Sequence, residues 1–154
     1  MGLRGKESKQ IEIKCDDNLF FEVLRYGLSH VSKLSPETIQ GCDLVEGQWG
    51  AVGCVICWNF NCDGKENVAK EMISVIDEKN RLMEFKVIEG DMMKAYKSFV
   101  STFQSANNTV TWTIEYEKTN ENVPNPTSLL ELLAKITRDI DINHQAIPGL
   151  AANN

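Results

Sequence analysis

A glycine-rich loop that leads straight into an apolar run constrains the fold of this chain more than any other feature. The loop holds Gly47, Gly50 and Gly53 within seven consecutive residues, and the run 54–60 follows at once. A phosphate-binding glycine loop opens a helix and carries a Lys-Ser or Lys-Thr pair or a G-x-G-x-x-G spacing, and neither pattern occurs in this loop. Aromatic and β-branched residues such as those of the run favour a strand. The pattern therefore predicts a β-hairpin in which the three glycines bend the chain tightly or take positive φ.

Length and charge limit the classes of function. A chain of 154 residues is expected to form a single domain over 1–154, with room for a sizeable core. The 16 Lys and Arg residues against 22 Asp and Glu residues give a net charge of -6, which opposes binding to nucleic acid or to an anionic membrane. No run of 18 apolar residues occurs, and the start of the chain lacks the apolar segment of a signal peptide. We therefore expect a cytoplasmic protein.

The cysteines are expected to be reduced thiols without a metal. Their number is odd and no export signal accompanies them, which disfavours a disulfide framework. Cys54 and Cys57 have a C-x-x-C spacing, but in a strand their side chains point to opposite faces. His30 and His144 have no metal-ligand spacing. We expect no metal and no cofactor, and free thiols at all five positions: Cys15, Cys42, Cys54, Cys57 and Cys62.

The first 35 residues predict one strand followed by two short helices. Residues 5–15 alternate between apolar and polar side chains, which is typical of a half-buried strand. Asp16 or Asp17 can cap a helix that continues to Tyr26. Apolar residues at spacings of three over 28–34 indicate a second short helix, which ends at Ser35 and Pro36.

The middle of the chain predicts an antiparallel meander. Residues 61–64 and 106–109 have hairpin-turn chemistry, and 77–80 form a longer polar turn. The strand 65–77 carries apolar residues on both faces, so its inward face stays open. The six predicted strands span 38–46, 53–61, 65–77, 81–89, 92–105 and 109–118.

A long amphipathic helix is predicted near the end of the chain. Thr127 or Ser128 can cap it, and Pro148 with Gly149 predicts its end. Its charged residues lie opposite one apolar stripe. The stripe contains Leu129, Leu130, Leu132, Leu133, Ile136 and Ile140.

Three segments make this arrangement resemble a known family. They are GCDLVEGQWGAVG at 41–53, KVIEGD at 86–91 and WTIEYEKTNENVP at 112–124. The chain resembles the major latex proteins, within the birch-pollen-allergen and pathogenesis-related class 10 superfamily of plants. The resemblance implies an α+β helix-grip fold, in which a seven-stranded curved antiparallel sheet wraps around the long C-terminal helix and encloses a hydrophobic cavity. Two short helices follow the first strand. Cys54, Cys57 and Ser101 depart from residues common in the family, which implies a reshaped ligand space.

A cavity of this kind would be lined by inward strand residues and the inner face of the long helix. Leu24, Tyr26 and His30 would form its lid. Ordinary core packing is the alternative interpretation of the same apolar residues. The expected ligand-binding residues are Leu24, Tyr26, His30, Met83, Phe85, Phe99, Phe103, Leu129, Leu133 and Ile140.

Few side chains could transfer a proton. The catalytic candidates are His30, Tyr26 and His144, together with any carboxylate or lysine that points inward. His144 could equally favour the negative end of the helix dipole. No G-x-S-x-G motif supports a Ser-His-Asp triad.

Two functions of different class remain open. The first is a carrier that binds a small hydrophobic plant metabolite (a terpenoid, steroid, flavonoid or alkaloid) in defence or specialised metabolism. The second is a cofactor-independent enzyme that steers the cyclisation, isomerisation or condensation of a reactive iridoid, other terpenoid or alkaloid intermediate. A nuclease is disfavoured because the glycine loop has no lysine and the chain is acidic. We expect a monomer or weak dimer, with no nucleic-acid or membrane partner.

Overall fold

Seven antiparallel strands form one sheet in the computed structural model, which describes residues 2–146. Neighbouring strands lie in the order β1-β7-β6-β5-β4-β3-β2, so a six-stranded meander is completed by β1 on the far side of β7. The predicted seven-stranded sheet is confirmed. The strands are β1 (Arg4–Glu12), β2 (Ile39–Glu46), β3 (Val55–Cys62), β4 (Lys65–Asp77), β5 (Leu82–Gly90), β6 (Tyr96–Ala106) and β7 (Thr109–Lys118).

Turn chemistry sets the hairpins as expected. Asp63 and Gly64 have φ of 53° and 77°, and Asn107 and Asn108 have φ of 53° and 57°. Two successive residues with positive φ form the type I′ turn that matches the twist of antiparallel strands. In the loop between β2 and β3, Gly47, Gly50 and Gly53 have φ of 81°, 82° and 89°. The predicted glycine hairpin is therefore confirmed.

Two strand boundaries differ from the prediction by more than two residues. The strand expected to begin at 92 begins at Tyr96, because residues 91–94 form a 3₁₀ turn. The first strand ends at Glu12 and not at Cys15. Beyond it, the backbone N–H groups of Lys14 and Cys15 donate to the Asp141 carboxylate at 2.9 Å and 2.8 Å, so a side chain replaces a neighbouring strand as their acceptor.

The family segment at 86–91 has a clear structural reason. Gly90 has φ of 121°, and a Cβ there would lie 2.2 Å from the backbone oxygen of Val68. Only glycine lets β5 approach β4 so closely. The next residue, Asp91, accepts the Val68 N–H at 2.8 Å. Together the two residues fix the start of β4, which forms part of the candidate site.

A β-bulge explains why the inward face of β4 could not be assigned. Ile73 pairs with Phe85, but Val75 pairs with Glu84, so Ser74 is an extra residue. The bulge reverses which alternate positions face inward. Before it, Ala69 and Ile73 are buried, whereas Val75 after it is 36% exposed.

The described residues contain three α-helices: α1 (Asp17–Tyr26), α2 (Val31–Leu34) and α3 (Thr127–Asn143). The Asp16 carboxylate caps α1 by accepting from the N–H groups of Asn18 and Leu19. The side-chain cap predicted for α3 is wrong. Thr127 is already helical, and Pro126 occupies the N-cap position without a side-chain hydrogen bond. The end predicted at Pro148 and Gly149 lies outside the described residues.

The C-terminal half of α3 is attached to its surroundings by polar contacts. The Trp112 indole N–H donates to the Thr137 hydroxyl at 2.7 Å, which joins β7 to α3 in the buried interior. The Ser35 hydroxyl donates to Asp139 at 2.6 Å. Burial opposes ionisation of Asp141, but the N–H groups of Cys15 and Lys14 outweigh it and lower the pKa of its carboxyl. These contacts fix the position of α3 relative to β1, β7 and the end of α2.

Aromatic rings fill the space where α1 meets the sheet. Phe20 packs edge-on against Phe103 of β6, with ring centroids 5.9 Å apart, and Phe21 lies 6.3 Å from the same ring. All three side chains are almost completely buried. The interior is therefore solid in this region.

None of the helices within 2–146 is long and apolar enough to cross a membrane.

Candidate functional site: a cavity between the sheet and the long helix

A cavity lies between the N-terminal half of α3 and the strands. Its volume is about 90 Å³, and it opens to solvent on one side. Seventeen residues line it: Leu24, Leu28, Val31, Ile39, Trp58, Phe60, Ala69, Glu71, Phe85, Met92, Phe99, Ser101, Trp112, Leu129, Leu132, Leu133 and Ile136.

Half of the expected ligand-binding residues line this cavity. Phe85 and Phe99 come from the inner face of the sheet, and Leu129 and Leu133 come from α3. Leu24 of α1 closes one side. The apolar stripe on α3 and the alternation along the strands therefore bring the expected elements together around one space.

The other five expected ligand-binding residues do not line the cavity. Met83, Phe103 and Ile140 are completely buried in the solid part of the core. Tyr26 is 47% exposed, and its ring packs against the glycine loop, where a Cβ on Gly50 would lie 2.3 Å from it. His30 is half-buried in the 3₁₀ turn before α2 and does not line the cavity.

None of the three catalytic candidates faces the cavity. Tyr26 packs against the glycine loop, and His30 lies in the 3₁₀ turn before α2. His144 follows α3, where its Nδ1 lies 3.0 Å from the backbone oxygen of Asp141. Its contact is with the end of the helix, as the alternative interpretation expected.

Most of the lining residues that were not predicted belong to sequence patterns that indicate an inward face. Leu28 and Val31 belong to the apolar spacing that predicted the second short helix, and Trp58 and Phe60 alternate along β3. Ser101, one of the departures from the family, lines the cavity, whereas Cys54 and Cys57 do not. Glu71 had no signal, because a charged residue in a strand is normally assigned to the solvent face.

Glu71 is the one charged side chain among the described residues that line the cavity. It lies on β4 between Ala69 and Ile73, and both of these neighbours on the inner face are buried. Glu71 itself keeps some accessible surface, consistent with its position in the cavity wall. The Ser101 hydroxyl is a second polar group in the lining. The Trp112 indole N–H is already used, because it donates to the Thr137 hydroxyl.

Burial changes the acidity of Glu71. Removal from water raises the pKa of its carboxyl from 4.5 to about 7, and a contact with the Trp58 indole N–H opposes the shift only in part. A carboxyl with a pKa near neutral pH can exist in both protonation states in a cell. The cavity thus combines apolar walls with one group able to pair with a cation or to exchange a proton.

Free thiols lie around β2 and β3 but form no cluster of metal ligands. All five cysteines are unpaired with one another. Burial, followed by the charge of Glu71, raises the pKa of the Cys42 thiol above its ordinary value. No group of three or more His, Cys, Asp or Glu side chains suited to a metal ion occurs in the part of the chain that the structure describes.

Glu71 should lower the free energy of unfolding as pH rises, whereas a carboxylate in a salt bridge has the opposite effect. The folded protein binds a proton more tightly at Glu71 than the unfolded chain does, so this group destabilises the fold as pH rises from about 4.5 to 7. We expect Glu71→Gln to raise the free energy of unfolding relative to wild type by roughly 1–3 kcal/mol at pH 8 and by much less at pH 4.5. Urea denaturation across this pH range measures the difference.

Glu66→Gln is the matched control for that experiment. Glu66 lies on the same strand, is exposed, and its substitution changes net charge by the same amount. Its difference from wild type should stay constant with pH. Equal pH dependence of the two variants would contradict the burial of an ionisable Glu71.

Comparisons with known proteins agree with this geometry. The family model of the pathogenesis-related protein Bet v 1 family matches residues 3–144. MLP-like protein 28 of Arabidopsis thaliana is 43% identical over 145 residues, which cover 90% of this chain. MLP-like protein 31 of the same plant is 41% identical over 90% of the chain. The chain spans 43% of the length of the first relative and 85% of the second.

Solved structures show the same architecture. The crystal structure of major latex-like protein 151 from Panax ginseng superposes with a TM-score of 0.91 at 44% identity, and covers 93% of this chain and 99% of the ginseng chain. Norcoclaurine synthase from Thalictrum flavum, solved with dopamine and hydroxybenzaldehyde, has a TM-score of 0.73 at 18% identity over 94% of this chain and 90% of its own, which shows a shared fold alone. This chain therefore belongs to the Bet v 1 family and, within it, to the major latex proteins.

Proposed function

We propose that the protein binds a small hydrophobic plant metabolite in the cavity between α3 and the sheet. The observation that supports this most directly is the cavity itself, whose lining is apolar apart from Glu71 and Ser101. Transfer of an apolar molecule from water to such walls gains roughly 25 cal/mol for each Å² removed from water. The ligand classes we propose are terpenoids, steroids, flavonoids and alkaloids, in defence or specialised metabolism.

The walls suit ring-shaped guests. Trp58, Phe85 and Trp112 present aromatic surfaces from three different strands, and offset or edge contacts with such rings add to burial alone. Leu129 and Leu133 cover the same space from α3. Met92 contributes an unbranched, polarizable side chain that adapts to irregular shapes. Modest selectivity for shape is the expected consequence.

The setting that we propose is the cytoplasm, where five free thiols remain reduced. The ligand is the main partner in this proposal, and the protein acts as a monomer or weak dimer. A net charge of -6 disfavours roles on nucleic acid or on anionic membranes.

A catalytic role is the second candidate, and Glu71 is the observation that favours it. A carboxyl whose pKa is raised to about 7 by burial is suited to general acid–base chemistry at cellular pH. The cavity could then steer the cyclisation, isomerisation or condensation of a reactive iridoid, other terpenoid or alkaloid intermediate without a cofactor. Tyr26, His30 and His144 have no part in this version, because they do not line the cavity.

Filling the cavity tests the binding proposal. Ser101 is 5% exposed and lines the cavity from β6, so Ser101→Leu would place a larger side chain in the space that a ligand needs. We expect the affinity for N-phenyl-1-naphthylamine, a neutral fluorophore, to fall at least about tenfold, since overpacking of this size costs on the order of 1–3 kcal/mol. Fluorescence titration measures the change.

Ser98→Leu provides the matched control. Ser98 lies on the same strand but is exposed, so the added side chain stays outside the cavity and affinity should be unchanged. Circular dichroism verifies that both variants are folded. Binding of the fluorophore that survives Ser101→Leu, or that both substitutions weaken equally, would place the ligand elsewhere.

Product analysis separates transport from catalysis. Unstable iridoid and alkaloid precursors are incubated with wild type and with Glu71→Gln, and their products are measured by mass spectrometry. A catalytic cavity should alter the product distribution relative to buffer, and Glu71→Gln should slow that change at saturating precursor concentration. A distribution identical to that in buffer would exclude catalysis on these substrates and leave the carrier function.

A further inference from the structure

Within residues 2–146, no cationic side chain lines the cavity beside Glu71. The lining residues from α1, α2, α3 and the strands include no Lys, Arg or His. The neighbouring Lys70 points to the opposite face of β4, where its ammonium lies 3.2 Å from the Glu89 carboxylate. The nearby Trp58 indole N–H favours the charged form of Glu71. The carboxylate therefore has acceptor capacity that the described residues leave unused.

An unpaired carboxylate in apolar surroundings raises the free energy of the folded protein. The chemistry of the bound ligand determines whether this penalty is offset. A purely apolar ligand displaces water from the carboxylate and increases the cost. A neutral hydroxyl donates one hydrogen bond but leaves the charge uncompensated. A protonated amine supplies both the opposite charge and up to three donors. The arrangement is therefore complementary to a cation.

Aromatic rings in the same wall point to the same class of guest. Trp58 and Phe60 line the cavity from β3, and Phe85 and Trp112 line it from β5 and β7 with ring centroids 6.2 Å apart. The faces of such rings attract cations as well as apolar groups, most strongly when water is excluded. Carboxylate and aromatic surfaces together thus distinguish an ammonium group from a neutral one.

On the basis of the proposed ligand-binding function, we propose that the cavity takes an apolar molecule carrying a single protonated amine, and that the Glu71 carboxylate pairs with the ammonium group. The ring system of the ligand lies against the leucines of α3 and the aromatic residues of the sheet. Anionic ligands such as carboxylates and phosphates are disfavoured at this site, because they would bring a second negative charge beside Glu71.

Other titratable groups near Glu71 do not mask the pH dependence of ligand binding that Glu71 causes. The Cys42 thiol on β2 is close enough for the Glu71 charge to raise its pKa further above the ordinary value, so it stays neutral at the pH where Glu71 ionises. The described residues that line the cavity from β3, β5, β6 and α3, among them Trp58, Phe85, Ser101 and Leu133, carry no titratable group in the range where Glu71 ionises.

A matched set of three naphthalene probes tests the inference. The probes 2-naphthylmethylamine, 2-naphthylmethanol and 2-naphthoate share one ring system and differ in charge. At pH 8 we expect the amine to bind about ten- to a hundredfold more tightly than the alcohol, as is typical of a charge-assisted hydrogen bond, and 2-naphthoate to bind most weakly. In Glu71→Gln the advantage of the amine should fall to within about threefold, whereas Glu66→Gln should retain it.

Proton exchange gives a second readout on the wild-type protein. Calorimetric titrations at pH 7 in buffers of different ionisation enthalpy measure the protons released or taken up on binding. With the Glu71 pKa at about 7, the amine should release close to half a proton, because it favours the carboxylate. The alcohol should cause uptake, because it displaces water from Glu71. Both signals should disappear in Glu71→Gln.

The outcomes separate the inference from the function on which it rests. If the alcohol binds and the amine is no tighter, or if Glu71→Gln leaves the preference for the amine intact, the inference is overturned and the hydrophobic cavity remains a binding site. If none of the three probes binds, the proposed function fails and the inference fails with it. An amine preference that depends on Glu71 and weakens at pH 5.5 supports both.

Discussion

The buried hydrogen bond between Trp112 and Thr137 is the contact on which the arrangement of helix and sheet most depends. It joins the middle of α3 to β7 at 2.7 Å, and Thr137 in turn donates to the Leu133 backbone oxygen one turn earlier. One turn further along, Asp141 accepts the backbone N–H groups beyond β1. The C-terminal half of α3 is therefore held close to the sheet, and its N-terminal half spans a space that its leucines do not fill.

This division of α3 explains where the interior is solid and where it is open. Ile140 lies beyond Thr137 and is completely buried, while Leu129 and Leu133 precede it and line the cavity. Glu71 alternates regularly with Ala69 and Ile73 on the inner face of β4, ahead of the bulge at Ser74. The open region therefore contains a carboxyl that a fully packed core would exclude, and this carboxyl gives an otherwise nonselective cavity a preference for charge.

Sequence patterns predicted the architecture but only part of the site. The turns at Asp63–Gly64 and Asn107–Asn108 and the glycine loop were correctly assigned because positive φ restricts the residues that can occupy such positions. Phe85 and Leu133 were found because periodicity identifies the inner face of an element. The same periodicity cannot tell a residue that borders empty space from one in solid packing, which is why Phe103 was included. Glu71 was missed because a charged residue in a strand is normally assigned to the solvent face, and the bulge at Ser74 had left the inward face of β4 unassigned.

Crystallography under xenon pressure measures the open region most directly, since xenon occupies dry apolar cavities of sufficient size. If the N-terminal half of α3 spans an open space as described, xenon should bind between Leu133 and Phe99 in wild-type crystals. Ser101→Leu should reduce the xenon occupancy, and Ser98→Leu should not. Absence of xenon between helix and sheet under conditions where it occupies other sites would show that this interior is closed, and would contradict the account.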